Sequence, residues 1–267
     1  MDILFTSEEE AVQLQNFLLK NGFEQPFSKE QGFFVFSFPK EGLTYIDVLG
    51  QFIIQVKRGE FLHRILLESF FYESREERNQ IIDIVTAMFN GNRKELTSMT
   101  GQVNESEMVQ EAILSLLRST RSIHFDTLVT FRLKEYKQAL IKYLHVAIDE
   151  YKMEQDYQMF IQMLRDYLKH RPPIKRQVHL YIDDGEIIFY DEHFKEMDKE
   201  CVMNMVDRRL LANHPVYIDS AVIAPLLSMA PEKIHLFTSQ EEKPLIRTLV
   251  NIFEERMVIL PSQHSVE

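Results

Sequence analysis

The sequence has one cysteine, Cys201, and no apolar run long enough to cross a membrane. A single cysteine cannot form a disulfide bond within the chain. The longest uncharged run, Ser220 to Pro231, has 12 residues and includes two prolines, whereas a transmembrane helix needs about 20 apolar residues. The N-terminus, MDILFTSEEE, lacks the basic and apolar regions of a signal peptide. We therefore expect a cytoplasmic protein with no membrane span.

The motifs of common metal and nucleotide sites are also missing. The nine histidines form no HExxH or HxH pattern and no zinc-spaced pair with Cys201. Asp191, Glu192 and His193 are adjacent, which would place alternate side chains on opposite faces of a strand and disfavours a shared metal. The loop Thr238 to Glu242 follows a predicted strand but has no glycine to bind phosphate. We predict no catalytic residue, no metal and no cofactor.

Glycine and proline are absent from residues 102 to 171, so this stretch contains neither helix breaker. It separates a glycine-punctuated beginning from a proline-rich end. The predicted parts are an N-terminal α/β unit over 1–91, a helical middle over 104–171 and a C-terminal α/β unit over 174–267. With 45% hydrophobic and 27% charged residues, the composition is that of a globular protein. The predicted fold class is α+β.

The N-terminal part begins with a capping box, Ser7 with Glu10, that predicts a helix over residues 8–21. Three runs rich in β-forming residues follow, separated by proline or glycine, and predict a small antiparallel sheet that residues 3–5 would join. These runs are Phe33–Phe38, Leu43–Leu49 and Phe52–Val56. Ser74 with Glu77 caps another predicted helix that ends at Asn90-Gly91, after one over residues 60–70.

In the helical middle, the polar stretch 92–104 is the predicted linker and residues 105–118 the first helix. An apolar stripe then recurs at steps of three and four, as on one helix face. Its members are Phe125, Val129, Leu133, Tyr136, Leu140, Leu144, Ala147 and Tyr151. One helix to His170 would be roughly 70 Å long at 1.5 Å per residue, so we expect a break near Lys152 to Gln155 and two antiparallel helices.

The C-terminal part begins after Pro172-Pro173. Asp184-Gly185 between two β-rich runs, 178–182 and 186–190, predicts a hairpin, because both turn positions need positive φ. Helices are predicted near residues 196–212 and 218–229. Strands at 234–237 and 257–260 around a helix near 242–255 predict a β-α-β unit with parallel strands.

Three segments carry a family resemblance: FRLKEYKQAL (Phe131 to Leu140), EQDYQMFIQMLRDYL (Glu154 to Leu168) and APEKIHLF (Ala230 to Phe237). With them, the chain resembles the YtxC-like family of sporulation proteins of endospore-forming Firmicutes over nearly its whole length. The resemblance implies the same order of parts and a cytoplasmic role in or alongside sporulation. It transfers no catalytic residue, because the matched strings have no known chemistry.

Basic residues recur opposite the apolar stripe of the helical middle. This basic stripe comprises Lys134, Lys137, Lys142, His145 and Lys152, with Arg118, Arg121 and Arg132 just upstream. From residue 118 to residue 143, six lysines and arginines face two acids, in a chain of net charge -11. Such a stripe can hold an acidic protein or a phosphate backbone, although charge runs are more often plain solvated faces. Arg132, beside the apolar stripe, is alternatively paired with a carboxylate inside.

A second basic cluster precedes an acidic tract at Asp183 to Glu200, which holds eight acids and two lysines. Its members are Arg165, Lys169, Arg171, Lys175 and Arg176. We predict that cluster and tract attract each other within the protein, as weak surface pairs. His179 and His235, in predicted strands, are expected to be half-buried packing residues.

These observations favour a non-catalytic cytoplasmic protein of unknown molecular function that binds another macromolecule, above all a protein. The expected contacts are Lys134, Lys137, Lys142 and Arg132. One alternative is a nucleic-acid binder that uses the same basic stripe, which the net charge of -11 disfavours. Another is an enzyme of unrecognised type.

Overall fold

The computed structural model describes residues 2–38, 43–117, 122–183, 185–207 and 221–261. The chain forms two compact units, Met1–Met153 and Glu154–Glu267. Each combines helices with a four-stranded sheet, so the α+β fold class is confirmed. The predicted helical middle contributes to both units, and the three-part division of the sequence stays a prediction.

The sheet of the first unit has the strand order β2-β3-β1-β4. Its strands are β1 (Asp2–Phe5), β2 (Ser28–Glu30), β3 (Phe33–Ser37) and β4 (Ser122–His124). Strand β1 pairs antiparallel with β3 and parallel with β4. The predicted strand near residues 33–38 and the participation of residues 3–5 are therefore confirmed. Strand β4, which lies far along the chain, was not predicted.

Seven helices and two π-helical segments precede the long helix in the described part of the first unit. They are α1 (Glu8–Lys20), α2 (Leu43–Phe52), a π-helix at Ile53–Lys57, α3 (Arg58–Glu68), α4 (Arg75–Phe89), α5 (Lys94–Thr100), α6 (Glu105–Leu117), α7 (Phe125–Thr127) and a π-helix at Leu128–Arg132. The hydroxyls of Ser7 and Ser74 accept hydrogen bonds from the amides of Glu10 and Glu77, which confirms both predicted caps.

The predicted strands Leu43–Leu49 and Phe52–Val56 are wrong, because this segment is helical. Leu49 and Phe52 are buried in the core of the first unit. Gly50, interpreted as a break between strands, lies inside α2 where a Cβ atom would be 3.9 Å from the side chain of Val109 in α6. Burial against a neighbouring helix thus outweighs local β propensity.

The predicted linker over residues 92–104 is also wrong in part. Helix α5 occupies Lys94–Thr100 and buries Leu96 in the core. The hydroxyl of Thr97 donates to backbone carbonyls of α4 and of Arg93. One buried leucine and these hydrogen bonds are enough to fix a two-turn helix in a mainly polar segment.

Helix α8 (Lys134–Lys169) runs for 36 residues without interruption, about 54 Å at 1.5 Å per residue. The predicted break near Lys152 to Gln155, and with it the predicted antiparallel pair, is wrong. Residues 152–156 are all exposed, and most belong to the stronger helix formers. Residues before this stretch bury their apolar stripe in the core of the first unit, and Ile161, Leu164 and Leu168 lie in the core of the second. Within the described ranges, no helix is both long and apolar enough to span a membrane.

The sheet of the second unit has the order β6-β5-β7-β8. Its strands are β5 (Gln177–Asp183), β6 (Glu186–Tyr190), β7 (Lys233–Phe237) and β8 (Met257–Leu260). The antiparallel β5–β6 pair confirms the hairpin, with Gly185 at positive φ, while Asp184 lies outside the described residues. Strands β7 and β8 are parallel around α11 (Pro244–Phe253), which confirms the β-α-β unit.

Two shorter helices complete the described part of the second unit. Helix α9 (Lys199–Asn204) lies within the helix predicted near 196–212, and helix α10 (Ile223–Met229) lies within the one predicted near 218–229. The end of the first predicted helix and the start of the second lie outside the described residues. Every residue of α10 is buried. The apolar core, which includes Val178, Leu180 and Leu236, therefore lies on the face of the sheet that α10 and α11 cover.

Candidate functional site

The first half of α8 presents one buried and one exposed side. Leu133, Tyr136, Leu140 and Leu144 are buried in the core of the first unit. The opposite side carries the exposed residues of the basic stripe, Lys134, Lys142, His145 and Lys152. The periodic pattern of the sequence thus corresponds to a true division of the helix surface. Arg118 and Arg121 lie outside the described residues.

The predicted contact residues are not neutralised by the part of the chain that the structure describes. Arg132, Lys134, Lys137 and Lys142 form no ion pair with any of the described residues. Arg132 is exposed, so the alternative of an interior carboxylate partner is wrong for the described part of the chain. By contrast, Arg93, near the same helix, pairs with Glu150 at 2.9 Å. The basic stripe therefore offers cations for an outside partner.

Lys137 differs from the other members of the basic stripe because it is half-buried. Its ammonium lies 5.0 Å from the centre of the Phe61 ring, a cation–π distance. Burial lowers the pKa of Lys137, and the positive charge of Arg64 on α3 lowers it further. Arg64 thus extends the basic surface onto a second helix. Sequence reasoning missed it, because nothing in the local pattern places residue 64 beside residue 137.

An exposed aromatic residue stands at the start of the basic stripe. Phe131, in the π-helical segment before α8, is 70% exposed and adjoins Arg132 in the chain. Sequence reasoning missed Phe131 as a functional residue. The signal was nonetheless present, since Phe131 falls outside the apolar stripe defined by Val129, Leu133 and Tyr136.

A profile of the YtxC-like family matches residues 44–258. The chain belongs to the YtxC-like family. It is 32% identical over 214 residues to the uncharacterized protein YtxC of Bacillus subtilis (strain 168), and the match covers 80% of this chain and 75% of that protein. No solved structure matches. The family resemblance seen in the sequence is therefore confirmed, and the matched range includes the basic stripe.

The second basic cluster of this YtxC-like protein pairs mostly outside the acidic tract at Asp183 to Glu200. Arg165 pairs with Glu254 at 2.7 Å, Arg171 with Asp207 at 3.1 Å and Lys169 with Asp166 at 3.2 Å. The predicted attraction to the tract is therefore wrong for these three cations. These three cations already have carboxylate partners. Lys175, in contrast, is close enough to Asp191 of the tract to add to the lowering of its pKa by the backbone amides of His193 and Lys195, so the prediction is confirmed for that pair.

Two histidines face each other on the sheet of the second unit. His179 is buried and His235 half-buried, and their Nδ1 atoms are 3.3 Å apart. The side-chain nitrogen of Gln177 contacts both rings, and the Phe194 ring stacks on His179 with centroids 3.6 Å apart. Burial lowers the pKa of both histidines. Across the described ranges, no three histidine, cysteine or carboxylate side chains are placed to hold a metal ion.

Glu105 lines a cavity of about 610 Å³ in the first unit. The two carboxylate oxygens of Glu105 accept hydrogen bonds from Arg58 at 2.6 Å and from the Tyr136 hydroxyl at 2.7 Å. Burial and the Glu105 charge raise the pKa of Tyr136 well above its usual range. This carboxylate is therefore held in a stable, fully bonded arrangement that resembles a structural ion pair.

Proposed function

We propose that this protein is a non-catalytic cytoplasmic protein that binds another protein during sporulation, through the basic stripe of α8. The observation that carries the proposal is the set of exposed cations without ion-pair partners among the described residues, in a chain whose net charge is -11. The sporulation setting rests on the resemblance to the YtxC-like family.

The electrostatic argument favours a protein over a nucleic acid as the partner. Most of the surface of a chain at -11 repels a phosphate backbone, so a long polyanion would be attracted at the basic stripe and repelled around it. An acidic patch on a folded protein is compact enough to meet only the stripe. Complementary charges of this kind steer association and select partners.

The experiment is recovery of the tagged protein, under mild cross-linking, from starved and sporulating cells. The test variant replaces Lys134, Lys142 and Arg132 with glutamate. These side chains are exposed, so the melting temperature should not fall. Lys137 is changed separately to methionine, which removes its charge and the cation–π contact with Phe61 but keeps an unbranched apolar side chain in the half-buried position.

The matched control reverses three exposed lysines elsewhere, Lys20, Lys94 and Lys199, and so changes the net charge by the same amount. A protein partner that is lost from the test variant and kept by the control supports the proposal. A partner kept equally by both would contradict a role of the stripe. Recovery of nucleic acid, with binding that falls steeply as salt rises, would favour the nucleic-acid alternative.

A further inference from the structure

The start of α8 collects features that are unfavourable in the free protein. The ring of Phe131 is 70% exposed, although phenylalanine is among the residues most often buried. Arg132 and Lys134, the first residue of α8, are both exposed, and the buried Leu133 lies between them. Cations at this end oppose the helix dipole, whose N-terminal end is positive.

The same surface gathers further positive charge. Lys137 lies one turn along α8, and Arg64 of α3 is close enough to lower its pKa. Acids are present as well. Glu135 is exposed beside Lys134, and Glu60 and Glu68 lie one turn on either side of Arg64 in α3, with Glu60 already paired to Lys57. Next to Phe131 in the chain, the exposed cations are Arg132 and Lys134.

We propose that Phe131 is the apolar anchor of the binding site and that the partner is an acidic polypeptide segment, whose carboxylates pair with Arg132, Lys134 and Lys137 while its apolar residues enclose the ring. This inference rests on the proposed function and narrows it to one end of the basic stripe. Lys142 lies eight residues beyond Lys134, about 12 Å along the helix, and contributes less.

The chemistry of the surface selects this partner. Buried aromatic residues surrounded by polar contacts dominate the binding energy of protein interfaces. Single-stranded nucleic acid also binds to aromatic and cationic side chains, but it stacks successive bases on several rings. Phe131 offers one ring at this position. One exposed ring with cations around it is complementary to an acidic segment whose apolar residues can enclose a single ring.

The direct test measures binding of purified protein to two short synthetic peptides of about ten residues, a poly-glutamate and a glutamate–tyrosine copolymer, with an oligothymidylate of about ten nucleotides as a third probe. We expect the copolymer to bind the wild type more tightly than poly-glutamate does. Phe131→Ser should weaken copolymer binding about tenfold and leave poly-glutamate binding nearly unchanged. Lys134→Glu should weaken both polypeptides, and Lys142→Glu should have a smaller effect.

The matched control is Phe71→Ser, since Phe71 is another exposed phenylalanine of the same unit, at 80%. It should leave copolymer binding unchanged, and the conservative variant Phe131→Tyr should retain it. Equal loss in Phe131→Ser and Phe71→Ser, or no loss in either, overturns the anchor. Tighter binding of the oligothymidylate than of the copolymer overturns the choice of a protein partner.

The cellular capture separates this inference from the function on which it rests. If the captured partner is lost from the charge-reversed variant but kept by Phe131→Ser, the basic stripe binds the partner and the anchor is wrong. If the charge-reversed variant keeps its partner, the proposed function fails. Loss of the same partner from both variants, with retention by Phe71→Ser, supports both.

Discussion

His179 and His235 are directly paired across the parallel strands β5 and β7, with their Nδ1 atoms 3.3 Å apart. The amide nitrogen of Gln177, a donor, reaches Nε2 of His179 and Nδ1 of His235. The two Nδ1 atoms face each other, so at most one of them carries a proton in a favourable contact. A state with both rings charged would place two N–H donors against each other at this distance.

This arrangement predicts loss of stability in acid. Burial lowers the pKa of both histidines below the ordinary value of 6.5, and Lys233 adds to the effect at His235 while Asp191 opposes it at His179. Between the ordinary and the lowered pKa the unfolded chain binds more protons, so the free energy of unfolding falls as pH decreases below about 6.5. Urea unfolding at pH 7.5 and 5.5 measures this decrease.

The variant with glutamine at both His179 and His235 should lose less stability over the same pH interval. His193→Gln is the control, because the side chain of His193 is 82% exposed. An identical pH dependence in the wild type and the double variant would show that the pair does not cause the acid sensitivity.

Breaking the ion pairs of Lys57 should cost more stability when the two carboxylates are removed than when the lysine is removed. Its ammonium contacts the carboxylates of Glu10 and Glu60, and its side chain is only 3% exposed, against 25% for Glu10 and 38% for Glu60. Changing both glutamates to glutamine leaves a buried charge without a counterion and should cost about 3–5 kcal/mol. Lys57→Met should cost less, because water can reach the carboxylates. Denaturant unfolding compares the variants, and a larger loss for Lys57→Met would contradict the argument.

The backbone conformation of Phe71 leads us to expect that glycine is favoured over alanine at this position. Its φ of 58° lies in the left-handed region, which is unfavourable for a bulky side chain, and its ring is 80% exposed. Phe71→Gly should be more stable than Phe71→Ala by about 1 kcal/mol, since glycine adopts this conformation without strain. The difference in thermal unfolding midpoint between the two variants is the measurement. Equal midpoints would show that the position is not strained.

Removing the hydroxyl of Tyr136 should cost more stability than removing the hydroxyl of Tyr143. Both rings are 1% exposed, but the Tyr136 hydroxyl donates to the charged Glu105 and the Tyr143 hydroxyl donates to the neutral carbonyl of Gly101. Hydrogen bonds to charged groups contribute about 1.5–3 kcal/mol, against about 1 kcal/mol for neutral pairs. Tyr136→Phe should therefore lower the free energy of unfolding by more than Tyr143→Phe. The opposite order in urea unfolding would refute it.

Features decided by neighbouring residues were predictable from the sequence. The capping boxes at Ser7 and Ser74 and the hairpin turn at Gly185 depend on contacts within a few positions, and all three are present. The helix over residues 43–52 was not predictable in this way. Its local composition favours strands, and its helical conformation follows from the burial of Leu49 and Phe52 in the core and from packing beside Val109, 59 positions after Gly50.

Part of the candidate site was likewise predictable from the sequence and part was not. Helical periodicity was enough to place Lys134 and Lys142 on the exposed side of α8. The pairing of Arg64 with the basic surface depends on how α3 packs against α8, which no local pattern encodes. The position of Phe131 outside the apolar stripe was likewise visible in the sequence, whereas its 70% exposure follows only from the fold.

Strand β1 has a consequence for how the chain folds as it is synthesised. Asp2 pairs with Ser122, 120 positions later, so β1 is synthesised well before its parallel neighbour. At about 5–20 residues per second, translation of that interval takes roughly 6–24 s. During this time one edge of β1 has open backbone hydrogen-bonding groups, and the apolar side chains of Ile3 and Phe5 lack part of their cover. The nascent chain therefore passes through an interval in which chaperone binding or misassociation competes with closure of the first sheet.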